Sequence, residues 1–257
     1  MGNQENRRTI LTVHNISKSF GSVEALNEVN FEIYKNEVVG IVGDNGAGKS
    51  TLIKIISGNF PPDKGEIFFE GKKIVFKSPI DARKLGIETV YQDLSVCNNL
   101  DSVSNLFIGR ELYKNIIGFE ILDKKNMEKK AIEVLGKVGI DIPSVREKIE
   151  YLSGGQRQAV ALSRFVAWGK KLALLDEPTA ALGVRETRQV LNLINSIRSE
   201  NISIILISHN LQQVFEIVDR IIVLRHGKVV GIKNRNETNP DEVVSMITGS
   251  IFINQAS

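Results

Sequence analysis

Residues 43–50 read Gly43-Asp44-Asn45-Gly46-Ala47-Gly48-Lys49-Ser50, a complete G-x-x-x-x-G-K-[ST] phosphate-binding loop. Before it, Val38-Val39-Gly40-Ile41-Val42 is a short apolar run that predicts a buried strand. After it, Thr51-Leu52-Ile53-Lys54-Ile55-Ile56 predicts a helix, stopped by Gly58. Strand, glycine-rich loop and helix in that order is the setting in which this match carries chemistry. The glycines let successive backbone N–H groups turn inward around phosphate oxygens. The helix N-terminus adds unpaired donors and a positive dipole end. Lys49 brings a point charge to the outer phosphates, and Ser50 offers a hydroxyl to Mg²⁺. The predicted ligand is a nucleoside triphosphate with Mg²⁺.

The chain of 257 residues is long enough for one large domain with an inserted subdomain. Apolar content of 42% and charged content of 25% are those of a soluble globular protein. Lys and Arg (33) barely exceed Asp and Glu (30), and no long basic run occurs, which argues against a nucleic-acid partner. The single cysteine, Cys97, excludes an internal disulfide and fits a reducing compartment. No apolar run has the length of a membrane span. The N-terminus lacks the apolar core of an export signal, and Asn6 stands where myristoylation wants Ser or Thr. The expectation is a cytosolic chain whose membrane contact runs through a partner.

Early in the chain β signals alternate with turns. Leu11–Ile16 and Val29–Ile33 have period 2, and Glu66–Phe69 and Ile74–Phe76 flank a turn at Glu70-Gly71-Lys72. These predict a small antiparallel sheet beside the phosphate loop. A second set of strands is apolar throughout and ends in polar residues. Gly86–Tyr91 leads to Gln92, Leu172–Leu175 to Asp176-Glu177, and Ile202–Ile207 to Ser208-His209. Continuous apolar runs are what a parallel sheet covered on both faces requires. Ligands of such sheets bind at the carboxyl ends of the strands, which gathers Gln92, Asp176, Glu177 and His209 around the nucleotide. Residues 93–165 read as mostly helical, for example Asn126 to Lys137, and predict an inserted helical subdomain. The chain then returns to β at Arg220–Leu224 and Val229–Ile232, with a short helix from Pro240 to Ile247.

Leu152-Ser153-Gly154-Gly155-Gln156 precedes a predicted helix running to Trp168. Ser153 and Gln156 have capping-box spacing. The order of phosphate loop, Leu-Ser-Gly-Gly-Gln and Leu175-Asp176-Glu177-Pro178-Thr179 resembles the nucleotide-binding subunits of ATP-binding-cassette (ABC) transporters, over nearly the whole chain. The resemblance implies an α/β fold with a P-loop NTPase (RecA-like) core built on a parallel sheet, a small antiparallel β subdomain and an inserted helical subdomain. It implies one ATPase domain over residues 1–257, with 1–92 and 166–257 as core and 93–165 as helical subdomain. Gly43, Asp44, Asn45, Gly46, Ala47, Gly48, Lys49, Ser50 and Thr51 would bind ATP as the Walker A loop. Phe20 fits the aromatic that stacks on adenine. Asp176 ends the Walker B strand and would hold Mg²⁺ together with Ser50 and Gln92, the Q-loop glutamine. Glu177 stands where the family keeps its catalytic carboxylate, and His209 matches its switch histidine.

In these relatives two cassettes pair head to tail. The signature residues Ser153, Gly154, Gly155 and Gln156 would then touch ATP held by the opposite chain, in a homodimer or paired cassette. The segments 91–103, 105–111 and 178–184 resemble monosaccharide importers of the ribose, xylose and fructose type. This implies an integral membrane permease as partner, docked near residues 93–111, and indirectly a periplasmic or extracellular sugar-binding protein. It places the chain at the cytoplasmic face of the membrane as a peripheral subunit. Many of these relatives fuse two cassettes, so this chain is either a natural single cassette or a piece of a longer protein. Gly183 stands where most of the family has an aspartate. The competing class is a soluble ABC-type ATPase acting on nucleic acid or ribosomes, whose long coiled-coil insertions or charged linkers are not seen.

Overall fold

The computed structural model describes residues 8–91, 96–138, 142–168, 171–180 and 182–250. From the N-terminus, β1 (Thr9–Phe20) and β2 (Val23–Tyr34) pair antiparallel. β3 (Val38–Val42) is buried throughout and delivers the phosphate loop to α1 (Lys49–Ile56). Next come β4 (Lys64–Phe69), β5 (Lys72–Ile74), α2 (Pro79–Leu85) and β6 (Ile87–Val90). α2 starts as its sequence directs, with Pro79 after a Ser78–Asp81 capping box, and ends on Gly86 at φ +92°.

The region between β6 and the next core strand holds α3 (Ser102–Phe107), the hairpin β7 (Tyr113–Ile116) and β8 (Phe119–Leu122), α4 (Lys124–Val138) and α5 (Gly154–Trp168). Its helices match the mostly helical pattern of the sequence; the hairpin is the addition. The chain then alternates β9 (Leu172–Asp176), α6 (Val184–Ser199), β10 (Ser203–Ile207), α7 (Leu211–Ile217) and β11 (Arg220–Arg225). It closes with β12 (Lys228–Asn234) and α8 (Pro240–Thr248).

Among the described residues the main sheet has six strands in the order β12-β11-β3-β10-β9-β6. All neighbours pair parallel except β11 with β12, a hairpin around His226-Gly227. A four-stranded antiparallel sheet, β2-β1-β4-β5, lies beside it. Pleating sends alternate residues of each strand to opposite faces. Val39, Ile41, Leu172, Leu174, Ile205 and Ile207 pack with α1 and the antiparallel sheet. Val38, Val42, Ala173, Leu175, Ile204 and Leu206 pack with α5, α6 and α7. Both faces are covered, so each strand is apolar at consecutive positions rather than at every second one.

One buried ion pair joins the end of the antiparallel sheet to the main sheet. Arg220 at the start of β11 donates from Nε and Nη2 to the Glu37 carboxylate at 2.9 and 3.0 Å. It also donates to the Glu32 carbonyl of β2. Glu37 is only 3% exposed, and its carboxylate further accepts the Tyr34 N–H. Removing one partner strands a desolvated charge, which is the costly way to break such a pair. Arg220→Met is therefore expected to lose about 3 kcal/mol in urea unfolding. The double variant Glu37→Gln/Arg220→Met is expected to recover part of that loss; equal losses would contradict this reading.

Candidate functional site

The phosphate loop turns as its glycines require. Gly48, the residue before α1, sits at φ +103°, where a Cβ would lie 2.5 Å from the Ala25 carbonyl oxygen and 2.7 Å from a Leu26 methyl. Only glycine fits both the dihedral and the space. The Lys49 ammonium is buried and donates to the loop's own Gly43 and Asp44 carbonyls at 2.7 and 2.9 Å. Burial pulls its pKa below the usual lysine range, while Glu177, Asp176 and Asp44 oppose that shift. The first N–H groups of α1 have no helical carbonyl to pair with. A polyanion at this point would meet a charged amine, free amides and a positive dipole end together.

The strands beside β3 supply the opposing groups. Asp176, the last residue of β9, is 4% exposed. Its Oδ1 is fully buried and has no hydrogen-bond partner among the described residues. Burial raises its carboxyl above the usual value, the Ser50 hydroxyl and Lys49 pull it down, and Glu177 adds to the rise. A buried, unpaired carboxylate oxygen beside a serine hydroxyl is a hard-oxygen donor set, so Asp176 and Ser50 suit Mg²⁺. Glu177 follows at φ +53°, a left-handed conformation that is strained for a non-glycine residue. The bend turns its side chain toward the loop after β10, where Glu177 Oε2 and His209 Nδ1 are 2.8 Å apart. The Glu177 side chain is 11% exposed and that of His209 70%, so the imidazole stands at the mouth. Asn210 next to it caps α7 by accepting from the Gln213 N–H.

These residues share one open cleft of about 820 Å³. Its floor is the phosphate loop with Lys49, Ser50 and Thr51, and Asp176, Glu177 and His209 flank it. Sequence reasoning missed two walls: Val23, Glu24 and Ala25 of β2, and Leu211 with Val244, Ile247 and Thr248 of α7 and α8. A faint signal exists in α8, where Val243 and Met246 enter the core while Val244 and Ile247 line the cleft. Phe20 is not among the lining residues; it is 49% exposed at the end of β1 and packs edge-on against Phe60 at 5.5 Å. Gln92 lies outside the described residues.

The signature segment sits elsewhere. Ser153 and Gln156 form the expected reciprocal cap, Gln156 N–H to Ser153 Oγ at 3.3 Å and Ser153 N–H to Gln156 Oε1 at 2.9 Å. Gly155 packs so tightly on α6 that a Cβ would meet Glu186 Cγ at 2.8 Å. None of the described residues 152–156 lines the cleft. The segment before the signature is tied to the loop before α3. Ile149 N–H donates to the Leu100 carbonyl and Glu150 N–H to that of Asn98, each at 3.0 Å. Fully buried Asn105 holds the other side of that loop through Cys97 N–H at 2.6 Å and the Cys97 and Asp101 carbonyls at 3.0 and 2.9 Å. Arg164 of α5 in turn donates twice to the Asn105 carbonyl, at 3.1 and 2.7 Å.

Residues 26–180 match the family described as ABC transporter. The chain is 48% identical over 239 residues to the xylose/arabinose import ATP-binding protein of Sulfolobus acidocaldarius, covering 93% of this chain and 94% of that protein. It is 46% identical over 245 residues to the fructose import ATP-binding protein of Rhizobium meliloti, covering 94% of each. The ribose import ATP-binding protein of Clostridium tetani is 39% identical over 94% of this chain, which spans only 47% of that longer protein. Among solved structures, a nucleotide-free ATP-binding cassette from an ABC transporter superposes with a TM-score of 0.78 at 27% identity, covering 93% of this chain and 98% of that one. A dimeric bacterial ABC transporter cassette gives 0.75 at 25% identity, covering 88% and 99%.

The raised Asp176 carboxyl has a signed consequence. Between its usual value of 3.8 and its raised folded value, the folded chain without metal or nucleotide binds more protons than the unfolded one. Stability then falls as pH rises through that window and stays reduced above it. Asp176→Asn removes this penalty. In chelator and without nucleotide, the variant is expected to melt above the wild type at neutral pH, with the gap closing as pH falls toward 3.8. A variant that melts lower at neutral pH would contradict the assignment.

Proposed function

The chain belongs to the ABC transporter family, and on that premise we propose that it is the ATP-hydrolysing subunit of an importer for a monosaccharide. One observation carries the reading. A phosphate loop, a buried unpaired Asp176 oxygen and a Glu177–His209 contact of 2.8 Å face one another across a single cleft. The likeness of the whole chain to pentose and fructose import subunits supplies the cargo class.

In this reading the phosphate loop and Lys49 hold the β- and γ-phosphates of ATP, and Thr51 adds an N–H at the start of α1. Asp176 and Ser50 would hold Mg²⁺, with Gln92 from the Q-loop segment, and the ion offsets charge on the phosphates. Glu177 takes a proton from, or orients, the attacking water, and His209 fixes the carboxylate and the γ-phosphate in line. Phe20 stacks on adenine from the end of β1.

Ser153, Gly154, Gly155 and Gln156 complete the cleft of a second copy, so that ATP bridges two cassettes and hydrolysis releases them. Residues 93–165 act as the helical subdomain that carries this signature, between core segments 1–92 and 166–257. An integral membrane permease docks near residues 93–111 and holds the chain at the cytoplasmic face of the membrane. A sugar-binding protein outside the membrane acts through that permease. Nucleic acid has no role here. Among the described residues no helix is long and apolar enough to cross a membrane, so the permease must supply the membrane-spanning part.

Two variants separate binding from chemistry. Lys49→Ala is expected to lose tight ATP binding, read with a fluorescent nucleotide. Glu177→Gln is expected to bind ATP as the wild type does, with turnover down by about 10²-fold or more. Purification of the tagged chain from its own membranes tests the setting: a co-purifying permease supports import, and co-purifying nucleic acid or ribosomes supports the competing class. Wild-type turnover by Glu177→Gln would remove that residue from the catalytic role.

A further inference from the structure

The hairpin β7–β8 places apolar side chains where the fold has no use for them. Ile117 is 93% exposed, Phe119 73%, Tyr113 59%, Ile121 45% and Ile116 42%. The register pairs Ile116 with Phe119 and Lys114 with Ile121, so these four share one face of the two-stranded ribbon. Exposed apolar residues scattered singly need no explanation; a contiguous set on one protruding element does.

The turn between the strands is costly as well. Ile117 and Gly118 link the strands at φ +53° and +83°, a two-residue loop in the left-handed region. Such turns favour Asn-Gly or Asp-Gly, and a β-branched residue with positive φ is a strained outlier. Ile117 gains no burial in return. The chain keeps a costly apolar residue at its most exposed point, so the benefit lies outside the folded subunit.

The charge around the hairpin indicates what covers it. Lys114 lies on the apolar face, and Lys124, Lys125 and Lys129 follow at the start of α4. None of the four is in an ion pair among the described residues. Glu111 and Glu120 are the exposed acids nearest in sequence, and the patch is basic on balance. An apolar tip with one aromatic ring, Phe119, and a fringe of free lysines is the composition of an element that rests in a lipid headgroup layer. Each lysine near an anionic surface adds attraction that salt screens. Lysine is depleted from protein–protein interfaces, which argues against a protein as the occupant.

We propose that the β7–β8 hairpin is a membrane-surface finger: Ile116, Ile117 and Phe119 enter the headgroup region of an anionic bilayer, and Lys114, Lys124, Lys125 and Lys129 face its lipid phosphates. The permease would bring the subunit to the membrane, and the finger would fix its orientation there. The finger is separate from the nucleotide cleft, and its membrane contact does not require the transport reading.

Co-sedimentation of the full chain with vesicles tests it, using phosphatidylcholine alone against an equal mixture with phosphatidylglycerol. The wild type is expected to bind the anionic vesicles only, and to release in high salt. Ile117→Asn is expected to weaken that binding by about tenfold while its melting temperature holds or rises, because Asn suits the turn. A merely structural Ile117 would instead lower the melting temperature and leave vesicle binding alone. Charge reversal at Lys124 and Lys125 is expected to weaken binding without touching ATP hydrolysis. Failure of the wild type to bind anionic vesicles would overturn the proposal. So would a result in which Ile117→Asn weakens only the complex with detergent-solubilised permease, since the finger would then be a protein contact.

Discussion

The register of the parallel sheet is the constraint on which the rest depends. Ile207 of β10 pairs with Ile41 of β3 on one side and Asp176 of β9 on the other. The phosphate loop, the metal-type carboxylate and the imidazole loop therefore leave the sheet at one level, along one edge. Each strand is buried on both faces, so a slip by one residue would exchange the two packing surfaces along its whole length. Packing fixes the register, and the register fixes the distances between Lys49, Asp176 and His209. The covered sheet thus acts as a jig for polar groups that would not gather on their own.

Those groups sit at a cost to the fold. The Asp176 oxygen is buried without a partner, Glu177 holds a left-handed backbone, and the Lys49 ammonium is withdrawn from water onto its own loop. Each is a local loss of stability, and all are within one cleft. In the proposed reading a nucleotide with its metal would relieve them together. The phosphates would take up Lys49 and the loop amides, and the cation would take up the Asp176 oxygen. Binding would then stabilise the fold. The signature helix is held apart from this cleft, yet is tied by the Asn98–Leu100 loop and Asn105 to the segment following β6. The signature segment and the cleft are thus separate parts of one chain, as the proposed pairing of two copies requires.

Much of this architecture is legible in the amino-acid sequence. The phosphate loop announces its own strand and helix because glycine spacing and apolar runs are local signals. The strands that end at Asp176 and just before Ser208-His209 are legible because double burial makes the whole run apolar. The capped start of α5 is legible from Ser153 and Gln156. The hairpin at 113–122 is not, since its alternation is short and its apolar residues face outward, the reverse of what a core strand shows. Nor are the cleft walls at Val23–Ala25 and on α8, because a wall is defined by which elements end up adjacent. Phe20 illustrates the limit: an aromatic at a strand end reads the same in sequence whether it awaits a ligand or only packs on a neighbour, and here Phe60 meets one edge of it.

The central claim is that one half-site comes from each of two copies, and mixing two disabled chains tests it most directly. Lys49→Ala spoils the phosphate loop and Ser153→Arg spoils the signature, so each chain alone is expected to be nearly inactive. A head-to-tail pair of the two unlike variants retains one complete site, made from the intact loop of one and the intact signature of the other. The account predicts that mixing restores ATP hydrolysis to a substantial fraction of the wild-type rate. No recovery on mixing, or full activity of Ser153→Arg by itself, would contradict it.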